Sequence, residues 1–208
     1  MIIALEGTIG VGKSHFIKTI RKNFSNVKIF TEGIDKDIYK QSVKDYYTDP
    51  HTYAYPFQLT MLWRKMSDGL DAQEYDIQTG GKGIAIIERT ISSNNRVFCR
   101  IAYEKGYITE NYLKLYNHSY EKLKKALKQP DIILYLHCPV KFAFQNIADR
   151  KREGEELIPI GYLKKLQKLY EKWIENYKGK VEEIYFNNFM SEEDICEIFQ
   201  SVIEGGRK

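Results

Sequence analysis

The chain predicts an α/β fold, a parallel sheet of about five strands flanked by helices, with a glycine-rich loop near its start and a short arginine-rich lid. Three observations predict it. Five short apolar runs are separated by longer segments of helical periodicity. Each run is near-continuous instead of alternating, as strands buried on both faces are. The first run leads straight into a glycine-rich stretch that opens a helical pattern. Strands alternating with helices imply parallel pairing through right-handed crossovers.

In chain order, residues 2–5 form the first run, and a helix follows from about Lys13. Residues 27–30 give a second run ending at Thr31-Glu32. A third, 83–87, again ends in a carboxylate, Glu88. Residues 131–136 (DIILYL) and 182–186 are the fourth and fifth. Helical patterns cover 13–24, 50–68, 91–104, 109–127, 139–149, 159–177 and 191–203. Pro50, Pro139 and Pro159 stand at expected first turns, where the N–H that proline lacks has no helical partner in any case. Ser191 with Glu192, Glu193 and Asp194 reads as an N-cap and an acidic first turn. The glycines at 80, 81 and 83 mark a turn before a strand, so residues 1–208 read as a single domain.

The chain is 43% hydrophobic and 29% charged, an ordinary globular composition. Its net charge of +4 suits an enzyme for anionic ligands but is too small to point to nucleic acid. Cys99, Cys138 and Cys196 are widely spaced and form no CxxC or Cys/His pattern. That predicts a reducing, cytoplasmic setting without a zinc site. The apolar start, Met1 to Leu5, is far too short for a signal peptide, and no apolar run approaches the ~18 residues of a membrane span.

Gly7-Thr8-Ile9-Gly10-Val11-Gly12-Lys13-Ser14 matches G-x-x-x-x-G-K-[ST] without a mismatch, between a strand pattern and a helix pattern. Glycines there let backbone N–H groups curl around phosphate oxygens, and the helix N-terminus adds partial positive charge. Lys13 is placed to reach β- and γ-phosphates, and Ser14 to ligate Mg²⁺. GTPases, ATPases and several kinases share this loop, so it leaves the phosphate acceptor open. The absence of a guanine-reading Asn-Lys-x-Asp weighs against a GTPase.

In open parallel sheets, ligands bind beyond the carboxyl ends of the strands. Glu32 and Glu88 both stand there. Glu32 is placed to accept the proton of an attacking hydroxyl. Its negative charge also disfavours an acceptor already carrying a phosphate. Arg150-Lys151-Arg152, followed by Glu153, Glu155 and Glu156, reads as a lid over about 149–157 whose arginines offset charge on a transferring phosphoryl group.

These residues together resemble the deoxyribonucleoside kinase family, which includes deoxycytidine, deoxyguanosine and mitochondrial thymidine kinases. The resemblance lies in Ile3-Ala4-Leu5-Glu6-Gly7 with the phosphate loop, Thr31-Glu32, Tyr47 through Tyr55-Pro56-Phe57-Gln58, Glu88-Arg89-Thr90-Ile91, and Arg150 to Leu163. It runs in the family's order over nearly the whole chain. It implies a P-loop kinase fold and ATP- and Mg²⁺-dependent phosphorylation of a deoxynucleoside 5′-hydroxyl. It further implies Glu32 as general base, Arg89 at the reacting phosphate, Glu88 with Ser14 at Mg²⁺, and Arg150 and Arg152 as lid arginines. Gln58 would pair with the base edge, Phe57, Met61 and Phe98 would surround the base, and Tyr47 and Glu155 would hold the sugar 3′-OH. The family's helix-mediated pairing of subunits implies a homodimer.

Several positions depart from the family pattern. Glu-Pro-Val is Glu32-Gly33-Ile34 here, and Glu-Arg-Ser is Glu88-Arg89-Thr90. Asn146 replaces an arginine one turn before the lid. Asn94-Asn95 stands where the family has Asp-Arg or Ala-Arg, so the preferred base is left open. Lys65, with Arg64 as a competitor, occupies the place of an arginine that faces the base. Two rival readings are a nucleoside monophosphate kinase, which needs a cation where Glu32 stands, and a non-catalytic nucleotide sensor.

Overall fold

The computed structural model describes residues 1–33, 37–186 and 190–206. Among the described residues, five strands form one wholly parallel sheet: β1 (Ile2–Glu6), β2 (Val27–Phe30), β3 (Ile84–Glu88), β4 (Ile132–His137) and β5 (Val181–Tyr185). Their spatial order is β2-β3-β1-β4-β5. β1 lies between β3 and β4, with Leu5 opposite Glu88 and Leu134. β1 and β3 are buried along their length and β4 up to His137, which is why these segments carry no alternation.

Helices cover both faces. On one face α1 (Lys13–Asn23) and α9 (Glu192–Gly206) pack over Ile3, Leu5, Leu134 and Leu136. On the other, α8 (Ile160–Glu175) and the C-terminal part of α3 (Pro50–Gln78) cover Ile2, Ala4, Ala85 and Ile133. A third cluster joins α2 (Asp37–Thr48), α3, α5 (Arg100–Glu104) and α6 (Glu110–Lys124) around Tyr46, Leu62, Tyr116 and Tyr120. α7 (Val140–Arg150) leads into the lid.

The sequence expectation holds no helix at α2, and two further elements differ from it. α3 continues to Gln78, ten residues past the expected end at 68. Glycine suits position 69 because Leu127 fills the space: a Cβ there would meet Leu127 Cδ2 at 2.9 Å. The 91–104 segment is also not a uniform helix. α4 (Ile91–Ser93) passes into a π-helical stretch, Asn94–Cys99, before α5 resumes. Ile34, the third residue of the altered Glu-Pro-Val motif, lies outside the described residues.

Candidate active site

The phosphate loop runs from the end of β1 to the start of α1. Gly10 and Gly12 have φ of +80° and +108°. A Cβ at Gly10 would strike the Ala143 carbonyl oxygen, and one at Gly12 the Phe186 ring, so both positions require glycine on two counts. Ile9 is anchored in the core on the α8 side and Val11 in the core on the α1/α9 side. The loop is thereby pinned from both faces of the sheet. Lys13 Nζ spans it, donating to Gly7 O at 3.1 Å and Thr8 O at 2.9 Å. Burial, helped by the Arg89 charge, lowers the Lys13 ammonium to about 7 against the pull of Glu88 and Glu32. Asn146 Nδ2 donates to Gly10 O at 2.8 Å, so the residue in the place of the family's arginine ties α7 to the loop.

Glu32 follows β2 and Glu88 ends β3, and these neighbouring strands set the two carboxylates side by side. Glu32 N–H donates to Glu88 Oε2 at 3.1 Å. Arg89 has a left-handed φ of +62°, a conformation costing a non-glycine residue roughly 1–2 kcal/mol. That turn sends its guanidinium back over the loop. Nη1 bonds Glu32 Oε2 at 2.5 Å, while Nε and Nη2 donate to Gly7 O at 3.4 and 3.3 Å. Burial alone would raise the Glu32 carboxyl, but the Arg89, Lys65 and Lys13 cations outweigh it and hold Glu32 well below the usual carboxylate range.

Lys65 is not a base-facing residue. Its buried ammonium donates to Glu88 O at 2.6 Å and pairs with Glu32 Oε1 at 3.3 Å. Arg64 does not take the base-facing place either; it bonds Thr31 O at 3.1 Å and pairs with Asp68 at 2.9 Å. The physical reason is a matter of helix faces. Lys65 lies on the α3 stripe turned to the sheet, and a buried ammonium needs a counter-charge, which Glu32 supplies.

The nucleoside-binding residues expected from the sequence all line one cavity of about 500 Å³: Glu32, Tyr47, Phe57, Gln58, Met61, Arg89, Asn94, Phe98 and Glu155. Glu88, Arg150 and Arg152 line it as well, with Ile9, Gly10, Gly12, Lys13 and Ser14 from the loop. Gly7, Thr8 and Val11 instead support the loop from behind through their carbonyls and core packing. Gln58 is 1% exposed, and its Oε1 is buried without a hydrogen-bond partner among the described residues. Phe57 stacks on Tyr46 with ring centroids 4.8 Å apart. Phe98 carries the Arg89 guanidinium over its ring at 4.7 Å. Asn94 Nδ2 donates to Gln58 O at 3.2 Å and to the Tyr116 hydroxyl at 2.7 Å. A carbonyl oxygen only accepts, so this contact fixes the orientation of the Asn94 amide. The wide π turn brings Asn94 and Phe98 to the cavity together.

The lid turns on Lys151, with φ of +49°, and on Gly154, with φ of +87°. It lays Glu155 under both arginines. Arg150 Nε and Nη2 bond the two Glu155 oxygens at 2.6 and 2.7 Å, and Arg152 Nη1 reaches Oε1 at 3.2 Å. Glu155 keeps acceptor capacity on Oε2, which takes a single donor from this set. Burial raises the Tyr47 hydroxyl far above its ordinary value, so it stays a phenol able to donate. Lys44 and Lys40 of α2 meet Glu153 at 2.7 and 3.8 Å on the surface, a weak and salt-sensitive contact.

Sequence reasoning missed α2, and with it Val43 and Tyr46, which line the cavity beside Tyr162. The signal was present: Tyr39, Val43, Tyr46 and Tyr47 follow a 3.6-residue period. It also gave no role to Glu6, the buried last residue of β1.

A phosphate loop, a buried carboxylate, Glu32, and an arginine joining them thus face one cavity of about 500 Å³. The model of the deoxynucleoside kinase family matches residues 3–204. The chain belongs to the deoxynucleoside kinase family. It is a phosphotransferase of deoxynucleoside salvage with ATP as the family's phosphate donor. Among similar proteins, a probable deoxycytidine kinase of fowlpox virus is 28% identical over 173 residues, 83% of this chain and 71% of the relative. A deoxyguanosine kinase of Dictyostelium discoideum is 28% identical over 191 residues, 90% of this chain and 65% of the relative. A deoxyadenosine/deoxycytidine kinase of Bacillus subtilis is 26% identical over 216 residues, 100% of this chain and 95% of the relative.

Proposed function

We propose that this kinase transfers the γ-phosphate of ATP in line to the 5′-hydroxyl of a deoxynucleoside, with Glu32 accepting the hydroxyl proton. The observation that carries the proposal is the Arg89 bridge, with Gly7 O on one side and Glu32 on the other. One guanidinium thus touches both the phosphate loop and the carboxylate at the acceptor. Glu32 is ionised throughout the working pH range, so it is ready to accept a proton and repels an acceptor that already bears a 5′-phosphate. Lys13 and Arg89 supply positive charge where the transferring group spreads negative charge over its oxygens. Arg150 and Arg152 add to it when the lid shifts them from Glu155. Gln58 offers a donor and a buried, unpartnered acceptor to the base edge, and Tyr47 and Glu155 offer a donor and an acceptor to the sugar 3′-OH.

The site fits Mg²⁺ bound mainly through substrate phosphates. The Ser14 hydroxyl and Glu88 carboxylate are hard oxygen donors, and among the described residues Glu88 commits only Oε2. No group of three His, Cys, Asp or Glu side chains able to hold a metal by itself occurs among the described residues. Mg²⁺ supplies charge neutralisation on the β- and γ-phosphates when bound.

The deciding experiment is a steady-state panel of the four deoxynucleosides against their 5′-monophosphates, with ATP as donor. We expect turnover on at least one deoxynucleoside and far less on any monophosphate; the reverse order would overturn the reading and favour a monophosphate kinase.

The homodimer is supported by exposed apolar side chains. Trp63, Leu70 and Ile77 recur every seven residues along α3, and Tyr112 and Leu115 stand exposed on α6. Such a stripe is unusual on a free surface. The pairing is tested by light scattering on Leu70→Lys, which should shift the particle to monomer mass. A cytoplasmic setting is supported by three cysteines that stay free thiols. No helix among the described residues is long and apolar enough to cross a membrane.

A further inference from the structure

Glu6 is a buried carboxylate that the chemistry above leaves unused. It ends β1, is fully buried and does not line the nucleoside cavity. A carboxylate in such a place is costly unless its oxygens are satisfied. They are. Oε1 accepts from the Thr90 N–H at 2.8 Å and the Thr90 hydroxyl at 2.9 Å, and Oε2 from the Tyr170 hydroxyl at 3.1 Å.

Thr90 is the residue after the left-handed Arg89, whose own N–H donates to Leu5 O at 3.0 Å. The peptide groups on both sides of Arg89 are therefore held by two consecutive residues of β1, one through its main chain and the other through its side chain. Thr90 also caps α4, accepting from Ser93 N–H. A left-handed non-glycine residue persists only where its surroundings over-determine it. Leu5 O fixes the entry to this turn. The Glu6 side chain fixes the exit.

We propose that Glu6 is a positioning residue for phosphoryl transfer: it holds the Arg89–Thr90 turn in the conformation from which the Arg89 guanidinium reaches both Gly7 O and Glu32. A turn released from Glu6 relaxes toward an ordinary backbone region and swings the Arg89 side chain away from the loop. Glu6 thereby couples the strand that delivers the phosphate loop to the arginine that serves the acceptor. The proposal rests on the role given to Arg89 above.

The test compares Glu6→Gln, Glu6→Asp and Glu6→Met with Arg89→Lys, reading kcat with a saturating deoxynucleoside and ATP affinity by calorimetry. Glutamine keeps an Oε1 acceptor at the same reach for both Thr90 bonds, and its amide donates to the Tyr170 oxygen instead. It should retain kcat within about tenfold. Aspartate keeps the charge but falls short of Thr90, and methionine keeps the volume but accepts nothing useful. Each should lose about 100-fold or more in kcat, the scale of a misplaced catalytic group, with ATP affinity within about threefold. Aspartate outperforming glutamine would overturn the proposal, since charge and not reach would then matter. So would parallel losses of kcat and ATP affinity, which would make Glu6 a support of the phosphate loop alone. Aspartate and glutamine carry the test even if methionine fails to fold. Arg89→Lys separates the two readings. If it leaves kcat unchanged, the role of Arg89 falls. If it is impaired while every Glu6 variant stays within threefold of the parent, only Glu6 falls.

Discussion

The phosphate-loop side of the cavity is built from the backbone of one short stretch, whereas the acceptor side is assembled from side chains on β2, α2, α3, β3, the π segment and the lid. On the first side, Gly7 to Ser14 carries its own geometry, and neighbouring elements contribute shape: the Ala143 carbonyl and the Phe186 ring leave room only for glycine. On the second side no two adjacent residues suffice. Glu32 owes its state to Arg89 and Lys65, Gln58 is faced by Asn94, and Glu155 is held by Arg150 and Arg152. Damage to the loop should therefore act on the donor alone. Damage to the acceptor side should spread between substrate, chemistry and stability.

The largest expected effect is that of Glu32→Gln, with kcat lower by roughly 10²–10⁴ while ATP still binds. It also leaves Lys65 and Arg89 without their counter-charge; breaking a buried pair costs about 3–5 kcal/mol, so thermal melting should show a large fall. A kcat and melting temperature equal to the parent's would show that the acceptor side is not a coupled network. Gln58→Leu should come next. Loss of a buried hydrogen-bonding partner of the base costs about 1–3 kcal/mol, or roughly 5–150-fold in kcat/KM for the deoxynucleoside, with KM for ATP steady. If both substrates' constants moved together, the two sides would not be separable.

Gly10→Ala addresses the loop. Strain at φ of +80° and the clash with Ala143 should weaken ATP binding by roughly 1–3 kcal/mol without changing the ranking of deoxynucleosides. A changed ranking in a nucleoside panel would break the comparison from the other end. The smallest effect is a proton count. Lys13 has its ammonium lowered from the ordinary 10.5 to about 7 by burial and Arg89. A triphosphate beside it favours the charged form and raises it again. Between about pH 7 and 10.5, ATP binding should take up as much as about one proton, detected as a buffer-dependent binding enthalpy. Uptake absent in that window, or release in its place, would remove Lys13 from this role.

Much of this was legible in the sequence because it depends on local patterns. The loop motif, the five apolar runs and the carboxylates at two strand ends are set by short spacings that a strand or a helix start must obey. The carboxylates' consequence follows from the sheet alone, since β2 and β3 are neighbours and bring Glu32 and Glu88 into contact. Less legible was anything decided by which helix face turns inward. Lys65 reads as a base-facing cation by position, yet it lies against Glu32. Asn146 reads as a missing arginine, yet it bonds Gly10 O. The helical pattern of α3 reads as ending at 68, yet the helix runs on through Gly69, packed against Leu127, to Gln78.

The sequence by itself determined the sheet, the loop and the identity of the chemical groups, because strand burial and glycine geometry are enforced by neighbours a few residues away. Only the tertiary structure decided how those groups are charged and aimed. Glu32 stays ionised because residues 33 and 57 positions further along the chain surround it with cations. Arg89 adopts a conformation its side chain disfavours because Leu5 and Glu6 hold the turn on both sides. Those are contacts between segments far apart in the chain, and their energies exist only once the core has brought the segments together.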